Sequence, residues 1–447
     1  MIKIKIPREA ELILQILQDQ GFEAYVVGGC VRDSLLGKTP QDWDICTTAS
    51  PPQVMEAFKG YPVLKTGLKH GTVTVLIERN PFEITTYRIE RGYSDHRHPD
   101  QVEFVTDLKQ DLARRDFTIN AMAYNPRKGL ADFFNGLQDL ETKTIRCVGE
   151  PESRFLEDGL RILRALRFAS VYDFSIEEKT GEAIHAKREL LAQIAAERIQ
   201  VELNKLLCGP GVKRVLQQFA DVLAVIIPEI APMLGFVQNN PHHCYDLWTH
   251  TVESVAQVPP ETVLRLTMLF HDLGKPDCFT LDRQGTGHFY GHAKLSGEKA
   301  KEILHRLRYD RITVDGVVTL VKNHDLTLIP EKKNLKRALH NLGLARFKQL
   351  LEVQKADNKA KHPSFQNENL AKIRVIEDLL DEIIKEDECF NLKDLAVKGR
   401  DLLQTGIREG PEIGQILNFL LQQVIEERVE NDKEKLLKLV KDYKAKS

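Results

Sequence analysis

No apolar run in this chain approaches the roughly 18 residues needed to cross a bilayer, so a helical membrane span is excluded and no membrane partner is expected. Cysteine is sparse: seven in 447 residues, an odd number with no C-x-x-C pair. That spacing argues against a disulfide framework and a zinc knuckle and points to the reducing cytoplasm. Net charge is nearly absent at −2, which by itself does not mark a nucleic-acid binder. The opening residues lack the sustained apolar core and small-residue cleavage site of a secretion signal, and read instead as a short strand followed by an amphipathic helix. Internal repeats and low-complexity segments are also missing.

What is present is ordinary globular composition, 42% hydrophobic and 29% charged, in a chain long enough for about two to four domains. Arginine is unevenly distributed: Arg88, Arg91, Arg97, Arg114 and Arg115 are followed by Arg154, Arg161, Arg164 and Arg167. Such a stripe can bind phosphate even in a neutral chain; the same density also arises from solvated helix faces and ion pairs. Residues 24–27 predict a short strand running into Gly28-Gly29, then a helix over 31–36 and another strand over 43–46. Residues 72–77 and 82–87 are β-rich runs flanking a turn at Asn80-Pro81. From about Glu152 the pattern becomes helical, with amphipathic segments at 155–169 and 195–207. The lysine-rich end, Lys433 to Lys446, reads as a solvated terminal helix.

Asp42-Trp43-Asp44 is a D-x-D on one of the expected strands. Alternation puts both carboxylates on one face and Trp43 on the other. Carboxylates roughly 7 Å apart along a face can bind two Mg2+ ions about 3.5–4 Å apart, one activating an attacking hydroxyl and one holding a triphosphate and its leaving pyrophosphate. Alone, the tripeptide could equally be a cap or turn. Upstream, Gly28-Gly29 ends a strand and opens a helix carrying Arg32 and Asp33. Glycines admit backbone N–H groups to a phosphate, and a helix N-terminus favours negative charge.

Together, Gly28-Gly29-Cys30-Val31-Arg32-Asp33 and Asp42-Trp43-Asp44 resemble the signature of class II tRNA nucleotidyltransferases, the CCA-adding enzymes and bacterial poly(A) polymerases of the DNA polymerase beta superfamily. Arg114-Arg115-Asp116-Phe117-Thr118-Ile119-Asn120-Ala121 resembles that family's ribose and triphosphate motif, and Glu157-Asp158-Gly159-Leu160-Arg161 its nucleotide-selecting motif. Glu197-Arg198 with Glu202 resembles the helix-anchoring motif that follows. The resemblance implies catalytic metal ligands at Asp42 and Asp44. It implies nucleotide contacts from Gly28, Gly29, Arg32, Arg115, Asp116, Asn120, Asp158 and Arg161. Glu83 could add a third carboxylate or lie at the surface.

Asp158 and Arg161 stand i, i+3, which on a helix makes them neighbours on one face. Arginine only donates and ionised aspartate only accepts. Cytosine and adenine each offer an amino donor beside a ring acceptor, whereas uracil and guanine present a carbonyl where the amino group should be. One Asp–Arg pair can therefore accept C and A and reject U and G. The same pair could instead be a simple helix ion pair. Between the motifs, residues 91–100 are polar and rich in turn formers. In the resembled family a flexible loop here serves the switch from C to A addition.

A different constellation follows. Trp248-Thr249-His250-Thr251, Phe270-His271-Asp272-Leu273-Gly274-Lys275 and Lys355-Ala356-Asp357 resemble the all-helical HD phosphohydrolase superfamily. His250, His271, Asp272 and Asp357 are the implied ligands of a divalent transition metal, since imidazole and carboxylate suit such ions. Gly291-His292 and Asn323-His324-Asp325 match positions where some members hold a second metal. The alternative is a vestigial site kept for folding or tRNA contact. Gly399-Arg400-Asp401 and Gly410-Pro411-Glu412 resemble the nucleotidyltransferase body and tail, with Pro411 suited to a helix start.

The expected architecture is an α/β nucleotidyltransferase head (DNA polymerase beta-like, 1–140) followed by all-helical parts: a neck and body (141–233), an HD domain (234–362) and a tRNA-binding body and tail (363–447). The implied reaction is template-independent addition of CCA to the 3′ end of tRNA from CTP and ATP with Mg2+. CC-only addition, A-only addition and poly(A) synthesis are alternatives, and a metal-dependent HD phosphohydrolase is the alternative from another class.

Overall fold

The computed structural model describes residues 2–65, 67–92, 100–386 and 388–444. The chain forms two compact units, Met1–Ala231 and Pro232–Ser447. Among the described residues no helix is long and apolar enough to cross a membrane.

The first unit is built on a sheet. Its strands are β1 (Ala24–Val27), β2 (Ile45–Thr47), β3 (Val63–Leu64), β4 (Thr72–Ile77), β5 (Asn80–Thr86), β8 (Met122–Asn125) and β9 (Gly129–Asp132), in the order β3-β4-β5-β2-β1-β8-β9. Between β5 and β8, β6 (Arg88–Arg91) and β7 (Gln101–Phe104) form a separate antiparallel ribbon. β2 runs parallel to β5 and antiparallel to β1. Val26, Ile45, Ile84 and Ala123 are fully buried along its centre, each large aliphatic side chain contributing roughly 1.5–3 kcal/mol.

The turn between β4 and β5 falls at Glu78-Arg79 rather than at Asn80-Pro81. Both residues have positive φ, 50° and 72°, the two-residue geometry that matches strand twist in a hairpin. Pro81 lies inside β5, paired with Leu76. It is tolerated because β2 pairs only with Ile84–Thr86, leaving that end of β5 open on the β2 side. Among the described residues the expected strand at the chain start does not form, and the first element is the helix Arg8–Asp19.

The helix expected over 155–169 is two helices, Pro151–Glu157 and Leu160–Tyr172. The break falls at Asp158, whose backbone is extended (φ −143°, ψ 105°). At Gly159 a Cβ would meet the Leu190 Cβ at 3.0 Å, a tight approach that a glycine relieves. Leu160–Tyr172 packs on Ala196–Leu207 through Leu163, Leu166, Leu203 and Leu206, all fully buried. This part is not purely helical: Thr144–Ile145 and Ser175–Ile176 pair as a short parallel ribbon.

The second unit is a stack of helices. Leu247–Gln257, Thr262–Phe270, His292–Arg306, Arg311–Asn323 and Leu344–Lys359 surround the second candidate site. A second departure from an all-helical body is the antiparallel ribbon Thr280–Leu281 with Gly287–His288. Pro411 does open a helix, Pro411–Ile425.

Candidate functional site

Antiparallel pairing of β1 with β2 brings the end of β1 beside the start of β2. The Val27 N–H donates to the Asp44 carbonyl at 3.0 Å. Asp42 and Asp44 therefore lie in the extended segment entering β2, one step outside the strand that the sequence suggested. Both are exposed. Because Ile45 pairs with Ile84 in a parallel register, Glu83 stands beside Asp44. The Asp44 carboxyl is raised above its ordinary value, first by desolvation and then by the Glu83 and Asp42 charges, against the lowering effect of Arg115. This oxygen-only set fits a hard cation such as Mg2+. The three carboxylates are not drawn to within 4.8 Å of one another.

Arg115 faces this group. Its Nη1 lies 2.9 Å from where a Cβ on Gly28 would sit, and Gly28 has φ 80°. The backbone conformation there favours glycine, and the absent side chain leaves room for the Arg115 guanidinium. Arg115 is loosely held: its nearest carboxylate partner, Asp111, is 3.7 Å away, and its buried Nε lacks a hydrogen-bond partner. It is a cation with donors to spare at the mouth of the glycine turn.

Arg32, Asp116 and Asn120 behave differently from the nucleotide contacts expected of them. Arg32 is buried, chelates Asp33 through Nε and Nη2 at 2.9 and 3.0 Å, and donates to the Asn120 Oδ1. Its guanidinium also lies over the rings of Phe168 and Tyr172 at 5.1 and 4.9 Å. Asn120 passes the chain on, donating to Asp116 Oδ1 at 3.0 Å. Asp116 Oδ2 accepts two bonds from Arg164 at 3.0 and 2.6 Å. Burial alone would raise the Asp116 carboxyl, but Arg164 and Asn120 hold it well below the usual carboxylate range. In this conformation the three residues form a satisfied buried relay that ties the head to the Leu160–Tyr172 helix.

Asp158 and Arg161 do not share a helix face, because the helix breaks between them. Asp158 accepts from Arg198 at 2.8 Å and from the Leu160 N–H at 3.1 Å. Arg161 pairs with Glu157 at 2.5 Å and donates to the carbonyls of Arg154 and Arg114 at 3.1 and 3.2 Å. Arg198, read from the sequence only as part of an anchoring motif, and Arg164, read only as part of an arginine stripe, are thus the partners of Asp158 and Asp116. The available signal was spacing: Arg161, Arg164 and Arg167 recur every third residue, and Glu202, one turn beyond Arg198, pairs with Arg167 at 2.8 Å. In the segment 91–100, residues 93–99 lie outside the described residues.

In the second unit the expected ligands do converge. His250 Nε2 lies 3.1 Å from Asp357 Oδ1 and 3.4 Å from His271 Nε2, and His271 Nε2 lies 3.1 Å from Asp272 Oδ2. His292 and His324 approach the other Asp272 oxygen at 3.4 and 3.6 Å and each other at 3.2 Å. Asp272 is therefore shared by two groups able to hold a metal, His250–His271–Asp272 and Asp272–His292–His324.

The hydrogen bonds fix the orientation of these rings. The Nδ1 atoms of His250, His271, His292 and His324 lie 3.2, 2.7, 2.8 and 2.7 Å from the carbonyls of Ala360, Met268, Phe289 and Val321. A carbonyl only accepts, so each Nδ1 carries a hydrogen and each Nε2 turns inward to the carboxylates. Asp272 is 1% exposed, and neither of its oxygens takes a hydrogen bond of good geometry, although the Lys275 ammonium lies 2.8 Å away. Burial would raise the Asp272 carboxyl; His271 and Lys275 hold it well below the usual range, and Lys361 and His250 do the same for Asp357. Burial pushes His271 and His292 below the ordinary imidazole value. A buried carboxylate with orphaned oxygens among inward-facing imidazoles fits a divalent transition metal.

Comparison with known proteins places this geometry in context. Residues 24–146 match the family described as Poly A polymerase head domain, 173–234 the probable RNA and SrmB-binding site of polymerase A, and 286–440 a putative tRNA nucleotidyltransferase domain 2. A CCA-adding enzyme of Pediococcus pentosaceus is 35% identical over 97% of this chain and 97% of its own length. One of Lactobacillus helveticus is 35% identical over 99% of this chain and 100% of its own. Among solved structures, the Bacillus stearothermophilus CCA-adding enzyme in complex with CTP superposes with a TM-score of 0.73 at 29% identity, over 98% of this chain and 99% of that one.

Proposed function

The chain belongs to the CCA-adding enzyme family of tRNA nucleotidyltransferases, and from that premise we propose that it builds CCA on the 3′ end of tRNA from CTP and ATP, in the cytoplasm, with selectivity residing in protein side chains. The relatives' names favour full CCA addition over CC-only, A-only or poly(A) synthesis. The observation that carries the reading is the exposed carboxylate group of Asp42, Asp44 and Glu83 faced by Arg115 across the Gly28 turn.

When bound, Mg2+ would supply activation of the 3′-hydroxyl and neutralisation of the triphosphate. The chain's own residues supply the rest. Gly28 and Gly29 let the backbone approach the phosphates, and Arg115 offers unspent donors to them. Asp158 is the acceptor for the amino group of C or A. It is already aimed by Arg198, so base selection requires the incoming base to share or replace that partner. Arg32, Asp116 and Asn120 act as positioning residues behind this surface. Backbone contacts make tRNA binding salt-dependent. The test is incorporation of CTP and ATP, separately and together, on tRNA lacking its last three nucleotides. CCA addition that vanishes in Asp42→Ala/Asp44→Ala supports the reading, and no addition to any tRNA end would overturn it.

A second reading concerns the Asp272 cluster. The four inward-facing Nε2 atoms and the orphaned Asp272 oxygens support an HD-type, metal-dependent phosphoester hydrolase in the same chain. A bound divalent metal would supply Lewis-acid activation there. Lys275 and Lys361 keep Asp272 and Asp357 ionised as ligands. Metal analysis of the purified chain, with phosphate release from phosphoesters in the absence of NTP, tests this; a metal-free, inert protein would remove it.

A further inference from the structure

Asp111, in the helix Leu108–Ala113, is fully buried, yet only one of its two carboxylate oxygens is satisfied. Oδ1 accepts from Arg114 Nε and Nη2 at 3.1 and 2.8 Å and from the Arg88 N–H at 3.2 Å. Those bonds fasten the start of β6 to the helix. Oδ2 takes no hydrogen bond. A buried carboxylate oxygen without a donor is costly, which points to a state of the molecule in which a donor reaches it. One stands just out of range: Arg115 Nη2 is 3.7 Å from Oδ2. The Nη1 of the same guanidinium lies against the Gly28 turn, and its buried Nε also lacks a partner. Arg115 is thus strung between an unfilled acceptor on one side and the phosphate-facing turn on the other. A charge-assisted bond to Oδ2 needs a separation of about 2.8 Å, which a shift of roughly 1 Å provides.

We propose that Asp111 is a positioning residue that competes with phosphate for Arg115: its free Oδ2 is an inner post to which the guanidinium withdraws, and from which a bound polyphosphate draws it out. The inference rests on the nucleotidyl-transfer reading of this surface and adds a residue to it. Carboxylate and phosphate engage the same forked edge of a guanidinium, so the bond to Asp111 and a full grip on phosphate exclude one another. The competition weakens the hold on the leaving pyrophosphate as well as on the incoming triphosphate. Each nucleotide added requires one pyrophosphate to depart, and a contested guanidinium releases it sooner than an uncontested one. A carboxylate kept for packing alone would act in the opposite sense: its removal would disorder Arg115 and weaken phosphate binding.

Asp111→Asn is the direct test, because the amide oxygen can keep the Oδ1 bonds while the charge and the free acceptor disappear. Calorimetry on the full-length chain measures the Kd of magnesium imidodiphosphate, a pyrophosphate analogue that resists hydrolysis. The chains compared are the parent, Asp111→Asn, Arg115→Gln and the double variant; the Arg115→Gln pair assigns the measured binding to the first unit. The expected result is binding about threefold to tenfold tighter in Asp111→Asn, with no difference between Arg115→Gln and the double variant. Unchanged or weaker binding in Asp111→Asn, or a tightening that survives the loss of Arg115, would overturn the post. Should Asp111→Asn fail to fold, the charge-balanced pair Asp111→Asn/Arg114→Gln gives the same reading, since Glu90 still holds Arg88 at 2.6 Å. The expected pattern in a chain that adds no CMP to any tRNA would support the post while removing the transferase reading. CMP addition by the parent with no tightening in the variant would do the reverse, so the two fail separately.

Discussion

Asp44 and Asp272 are both carboxylates among candidate metal ligands, yet water reaches the first and scarcely touches the second. In the first unit the buried charges are spent on framework, in the Arg164–Asp116–Asn120–Arg32–Asp33 relay, while the reactive carboxylates stay at the surface. In the second unit the buried charges are themselves the candidate ligands. The difference follows from chemistry. Magnesium keeps several waters and is shared with the substrate's phosphates, so its site must be open. An imidazole–carboxylate site can keep its ion, provided every ligand is preset in the correct protonation state. An open site exchanges its metal easily, and a closed one retains it.

The sharpest way to break this comparison is to empty each site separately. Asp42→Ala/Asp44→Ala lowers CMP and AMP incorporation about a thousandfold or more, while metal retained after desalting, measured by plasma mass spectrometry, is unchanged. Asp272→Ala does the reverse: metal affinity drops about a hundredfold or more, while CCA addition stays within about twofold. Retained metal in the Asp272 variant, or metal lost from the Asp42/Asp44 variant, would contradict the assignment of an open and a closed site.

A finer effect belongs to Asp158→Ala. It reduces the preference for CTP over UTP about tenfold to a hundredfold, the loss of one good base contact. Metal dependence is unchanged. Single-nucleotide incorporation kinetics measure both, and unchanged C/U discrimination would remove Asp158 from base selection.

The smallest effect is one of pH. Asp116 is held below its ordinary carboxylate value of about 3.9, so its contribution to stability is complete above that pH and is lost as pH falls through its lower folded value. Asp116→Asn removes the nearer of the two carboxylate partners of Arg164, leaving Glu202 at 3.7 Å, and melts earlier at neutral pH. Its deficit against the parent narrows on acidification below about pH 4, as thermal melts across that range will show. A deficit that widens instead would contradict the depressed carboxyl.

The order of motifs was readable from the sequence because chemistry-bearing residues recur at fixed offsets, and His250, His271, Asp272 and Asp357 converge as that order implied. The direction in which a motif side chain points was not readable. Arg32, Asp116 and Asn120 lie in motif segments yet turn to one another and to Arg164, through links that span up to 88 residues and that no local pattern encodes. The break at Asp158 was hidden for a different reason. Apolar residues continue on both sides of it, so helical periodicity reads straight through. A tight neighbour at the break, the Leu190 side chain against Gly159, comes from outside both helices. Glu78-Arg79 was hidden by residue type, since positive φ is usually advertised by glycine or asparagine.

The histidine hydrogen bonds also carry a time order. Met268, Phe289 and Val321 each lie three residues before the ring they hold, so the inward direction of the His271, His292 and His324 Nε2 atoms is set as soon as those turns close. His250 takes its bond from Ala360, 110 residues away, and its carboxylate partner Asp357 comes from the same distant helix end. During folding, then, the Asp272–His292–His324 half is primed by local turns, whereas the His250 half is completed only when the Leu344–Lys359 helix docks. An ion arriving early would find one half of the centre before the other, and could serve as the template on which the last helix closes.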